Sequence, residues 1–77
     1  MKPVGEVVRT SGGIAVVRSP DEGHPGIGAS VVDDSLTAVG RVVDVFGPID
    51  RPYVAISTDG DVHVPTLVGR RLYQRDG

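Results

Sequence analysis

The sequence predicts an all-β protein, a small closed six-stranded antiparallel barrel formed by residues 1–77 as one domain, and three observations predict it. Short apolar runs recur about every 8–12 positions with turn residues between them. Most of the 11 glycines and 6 prolines fall between those runs. No stretch carries the roughly 3.6-residue apolar period of an amphipathic helix.

The elements follow in order. "VGEVVRT" (4–10) and "GIAVVRS" (13–19) read as the first two strands, joined in a hairpin at Ser11, Gly12 and Gly13. The Pro- and Gly-rich "SPDEGHPGIGA" (19–29) reads as a loop, and "SVVD" (30–33) as a short third strand. The turn "DSLTA" (34–38) leads into the longest strand, "VGRVVDVF" (39–46). Gly47 and Pro48 turn the chain through "IDRP" into "YVAIS" (53–57). "TDGDVHVP" (58–65) is polar and loop-like, and "LVGRRLYQR" (67–75) is expected as the last strand. Three runs share a Val-Gly opening, at Gly5, Gly40 and Gly69. Each glycine is expected to mark a bend or bulge where a strand enters the barrel. Closure removes the exposed edges that would make so small a sheet prone to association.

The long strand alternates imperfectly. Val39, Arg41, Val43 and Val45 share one parity while Gly40, Val42, Asp44 and Phe46 share the other, so neither face is purely apolar. Either a bulge near Asp44 switches the faces, or another molecule covers the outward surface near Val45 and Phe46.

Composition removes several function classes. A chain of 77 residues has little room for a large catalytic cleft. The absence of cysteine excludes disulfides, a thiolate nucleophile and the common zinc sites, and fits a reducing, cytoplasmic setting. No apolar run resembles a signal peptide or a membrane span, so no membrane partner is expected. A net charge of −2, from eight basic and ten acidic residues, lacks the cationic surplus of a protein that binds nucleic acid alone. The chain on its own is therefore expected to bind RNA weakly at physiological salt, with Arg70, Arg71 and Arg75 as the cations best placed to touch RNA inside a larger particle.

Candidate chemistry is thin. "GHPGIG" (23–28) has no lysine and lacks the spacing of a phosphate loop. His24 and His63, with Asp59 and Asp61, lie on separate loops without metal-ligand spacing, and "DGDVH" lacks the downstream acid of a calcium loop. Adjacent Asp33 and Asp34 would point to opposite faces of a strand and read as turn formers. No catalytic residue, metal or cofactor is expected, and the protein is read as a non-enzyme.

The aromatic turn remains. In a chain with one Phe and two Tyr, Phe46 and Tyr53 flank Gly47, Pro48, Ile49 and Pro52. Prolines restrict the backbone there, so an apolar cluster formed with Val45 would lose little entropy on binding. Two readings stand on the residues alone: the cluster docks a partner, or the rings plug the barrel end.

These residues also carry a resemblance. "PGIGASVVDDSLTAVGRVVDVFGPIDRPYVAI" followed by "LVGRRLY" resembles the small Gar-type subunit of archaeal H/ACA ribonucleoprotein particles, which guide RNA pseudouridylation. The similarity runs from about Gly5 to Tyr73 and is most specific from Gly40 to Ile49 with Pro52 and Tyr53. It implies a barrel like those of translation factors, present as a monomer within a multiprotein ribonucleoprotein. It also implies docking on the catalytic domain of the pseudouridine synthase subunit, away from the guide RNA. The subunit would assist substrate RNA loading and release by holding a mobile loop of the synthase, with guide and substrate RNA met only indirectly. Eukaryotic members of this family carry glycine-arginine-rich tails, and neither end of this sequence has one. The resemblance favours docking, and the expected partner-binding set is Val45, Phe46, Gly47, Pro48, Ile49, Pro52 and Tyr53. A free-standing RNA-binding barrel and a barrel that holds a nucleotide or small ligand are the alternatives.

Overall fold

Gly12 takes φ +58°, the left-handed conformation that a two-residue hairpin demands, and with Gly13 it joins β1 (Lys2–Ser11) to β2 (Ile14–Arg18). This is a computed structural model, and it describes residues 2–75. The remaining strands are β3 (Ser30–Asp33), β4 (Ala38–Phe46), β5 (Tyr53–Thr58) and β6 (Arg71–Gln74). They close into a barrel in the order β1-β2-β5-β4-β3-β6, and every neighbouring pair is antiparallel. The all-β, six-stranded, closed architecture expected from the sequence is the observed one. Among the described residues no helix is long and apolar enough to cross a membrane.

The interior is aliphatic. Val4, Val7, Ala15, Val17, Val31, Val39, Val42, Val54, Ile56, Leu67 and Leu72 form one buried cluster. β-branched side chains suit a pleated wall, and each fully buried Val, Leu or Ile contributes roughly 1.5–3 kcal/mol relative to an exposed one. The aromatic rings take no part in this cluster, so the barrel closes without a ring as its plug.

The mixed parity of β4 has a bulge as its cause. Val42 pairs with Ile56 but Asp44 pairs with Ala55, so Val43 is an extra residue and is left exposed. The bulge turns Val42 and Val45 toward the core and leaves Phe46 outward. A second shift, between Pro3 and Gly5, kinks β1 against β6. Gly5 (φ +142°) and Gly40 are also places where two strands nearly touch. A Cβ on Gly5 would lie 2.0 Å from the Arg18 carbonyl oxygen, and one on Gly40 would lie 2.0 Å from that of Ser57.

The C-terminal region departs from expectation. Residues 67–75 do not form one strand: Leu67 closes a 3-10 turn (Val64–Leu67), Val68 to Arg70 make a second turn, and β6 spans only four residues. Pro65 lies at the start of the 3-10 turn, where a missing N–H costs nothing. The turn packs on β1 and β2, and Leu67 fills the core. Gly69 accordingly sits in a turn, not at a strand entrance. Its N–H donates to the Val7 carbonyl at 2.8 Å, and Val7 N–H donates to the Arg70 carbonyl at 2.9 Å.

Candidate partner-binding face

The site is built by register. Phe46 at the end of β4 lies directly opposite Tyr53 at the start of β5, and Tyr53 lies directly opposite Arg18 at the end of β2. Cross-strand neighbours on one face approach closely enough to interact, and here all three side chains do. The Phe46 and Tyr53 rings stack with centroids 5.5 Å apart and 23° between planes. The Arg18 guanidinium carbon lies 4.8 Å from the Tyr53 ring centroid, and its Nη1 donates a 2.8 Å hydrogen bond to the Tyr53 hydroxyl. Tyr53 is therefore held from both sides.

Gly47 makes this packing possible. At φ +89° it adopts a conformation open to glycine, and a Cβ there would sit 2.9 Å from Tyr53 Cδ2. Pro52 is buried, and its carbonyl accepts from Ser19 N–H at 2.9 Å, which pins the far end of the turn to the end of β2. Between these anchors Ile49 is 90% exposed and Phe46 is 38% exposed. Large apolar groups on a pinned turn form a rigid, water-facing anchor.

The structure brings the seven expected residues to one end of the barrel but in different settings. Phe46, Gly47, Pro48 and Ile49 face solvent, Val45 is half-buried against the core, Pro52 is buried, and Tyr53 is half-buried under Arg18. All except Tyr53 line a groove of about 340 Å³, whose opposite wall is Glu22 and His24. Glu22 and Arg18 carry no signal in the sequence, and His24 is weighed there only as a metal ligand, not as part of this groove. The loop 19–29 reaches the groove because it runs back along β4, with Gly28 N–H donating to the Val42 carbonyl and Val42 N–H to the Ala29 carbonyl. Alternating Gly and Pro in that loop carry no signal of such a pairing.

The other candidates separate. His63, Asp59 and Asp61 lie on the connection after β5, where the His63 carbonyl accepts from the Thr66 hydroxyl at 2.6 Å. Asp33 and Asp34 do build a turn: Asp33 Oδ1 accepts from Ser35 N–H at 2.9 Å and Thr37 N–H at 3.0 Å. Arg70 crosses to this turn, 3.2 Å from Asp34 and 3.7 Å from Asp33. The expected group of Arg70, Arg71 and Arg75 is thus divided, since Arg70 is engaged with the aspartates while Arg71 lines a different groove with Arg18 and Arg51.

A closed aliphatic barrel that carries its aromatic pair at a pinned connecting turn defines a small β-barrel domain. The chain belongs to the Gar1/Naf1 RNA binding region family, whose model matches residues 1–76. Its fold is similar to the Gar1 domain of Naf1, with a TM-score of 0.76 at 15% identity, across 95% of this chain and 79% of that one. No curated protein sequence matches the chain.

Proposed function

We propose that this protein is a non-catalytic subunit of an archaeal-type H/ACA ribonucleoprotein in the cytoplasm. Its turn from Phe46 to Tyr53 docks on the pseudouridine synthase subunit and so assists loading and release of substrate RNA during rRNA pseudouridylation. Membership of the Gar1/Naf1 family supports the setting. The observation that carries the docking surface is Ile49, 90% exposed on a turn whose ends are fixed by Pro52 and the Phe46–Tyr53 stack. An exposed isoleucine contributes nothing to the fold, and burial in a partner's pocket would give it the character of an interface hot spot.

The test is a titration of the synthase subunit with wild-type protein and with Ile49→Asp. The expected result is binding weakened about 30-fold or more, because a hot-spot loss of roughly 2 kcal/mol or above corresponds to that factor. Melting should stay within a few degrees of wild type. Equal affinity for a folded Ile49→Asp protein would remove this turn from the interface. The family's description as an RNA binding region favours RNA contact as a second reading; tight RNA binding by the isolated chain would put it first.

A further inference from the structure

A second groove lies on the far side of Tyr53 from Phe46. Along one rung of the barrel the register runs Phe46, Tyr53, Arg18, Glu6, Arg71, through β4, β5, β2, β1 and β6. The part beyond Tyr53 opens into a depression of about 540 Å³ that shares no lining residue with the docking groove. Arg18, Arg51 and Arg71 line it, with Glu6 as its acidic member and Pro3, Val8 and Pro20 as apolar walls. A chain with formal charge −2 thus gathers three of its eight cationic side chains in one concavity. Among the described residues none of the three forms an ion pair; Glu6, directly opposite both Arg18 and Arg71, shares the groove without pairing to either.

Further observations mark the place as unfinished. Arg18 Nε is buried without a hydrogen-bond partner among the described residues, and so is the hydroxyl of neighbouring Ser19. Buried donors of this kind are nearly always satisfied. Arg51, an exposed residue, makes a long 3.4 Å contact from its Nε to the Ser19 carbonyl.

We infer that this groove contacts the sugar-phosphate backbone of a single-stranded RNA segment, with Arg18, Arg51 and Arg71 as the phosphate-binding residues. Guanidinium groups bind phosphate through paired N–H donors. Such groups between proline and valine walls suit a nucleic-acid strand, which offers anions and apolar base faces together. An acidic peptide is the competing occupant, and the match to an RNA binding region favours the nucleic acid. The contact is weak in isolation because Glu6 offsets one of the three charges, which fits a groove that works where RNA is already held close by a larger particle. Arg51 lies within the turn from Phe46 to Tyr53 but Arg18 and Arg71 lie outside it, and the RNA readout is separate from the synthase titration, so the inference and the synthase reading fail separately.

The test is fluorescence anisotropy of a labelled 12-nucleotide single-stranded RNA titrated with the full chain at 50 mM salt and above. Three phosphate contacts predict a slope of log K against log salt near about −2, at roughly −0.7 per contact for single strands. The Arg51→Gln, Arg71→Gln pair should weaken binding about tenfold or more and bring the slope to about −0.7. Glu6→Gln should act in the opposite direction and tighten binding several-fold. Arg41→Gln, which removes an equal charge from the exposed face of β4, should change little. Melting curves confirm that each variant is folded, and Glu6→Gln keeps the test decisive if an arginine variant is not. The inference is overturned by no binding at 50 mM salt, by Arg41→Gln weakening binding as much as the groove variants, by no response to Glu6→Gln, or by tighter binding of a polyaspartate peptide of equal charge.

Discussion

Tyr53 holds two positions at once, and its chemistry separates them. Its ring supports Phe46 by stacking, its face receives Arg18, and its hydroxyl accepts from Arg18 Nη1. Together these are worth about 2–3 kcal/mol, so Tyr53→Ala should lower the melting temperature by about 10 °C or more in a domain of this size. Tyr53→Phe is the sharper probe. It removes only the Arg18 hydrogen bond, so melting should fall by about 4–8 °C, for roughly 1 kcal/mol, while synthase affinity stays within about threefold. A tenfold loss of affinity in Tyr53→Phe would mean that the hydroxyl itself meets the partner. Leu36 offers the opposite case, a leucine at φ +65° whose side chain is 62% exposed. L-residues pay roughly 1–2 kcal/mol for that conformation, and asparagine tolerates it better. Leu36→Asn should therefore raise the melting temperature by a few degrees.

At the scale of elements, the barrel depends on where strands are allowed to touch. Gly40 sits where any side chain would meet the Ser57 backbone, which cannot retreat without breaking the β4–β5 pairing. Gly40→Ala should cost about 2–3 kcal/mol, seen as a fall of about 10–20 °C in melting. Melting unchanged by this substitution would show that the two strands are not in close contact there. Much of this organisation was legible in the sequence, because hairpin glycines and alternating valines report local geometry. The imperfect parity of β4 pointed to its bulge, and Asp33 to its turn. Register was not legible: nothing local in "VVRS" says that Arg18 will face Tyr53, 35 positions away, so the platform under the aromatic turn went unseen. The last strand was overextended for a similar reason. "LVGRR" has strand-like valine and leucine, but Leu67 is drawn into the core by a turn whose only local sign is Pro65.

For the whole molecule, the division of labour between inside and outside is the governing fact. An aliphatic interior closes the barrel without aromatic help, and Phe46, Tyr53 and Ile49 lie outside its core cluster. The two grooves flank the same tyrosine, one lined by apolar turn residues and one by arginines. On the proposed function, the partner meets the turn from Phe46 to Tyr53. The most direct measurement is the amide spectrum of the isotopically labelled chain, recorded by nuclear magnetic resonance with and without the unlabelled synthase subunit. The signals of Phe46, Gly47, Ile49 and Tyr53 are expected to shift or broaden most, with Glu22 and His24 following as the opposite wall. Unchanged signals along that turn, with the largest changes instead at Leu36 and Val68 or at Ile27 and Val43, would contradict the docking reading.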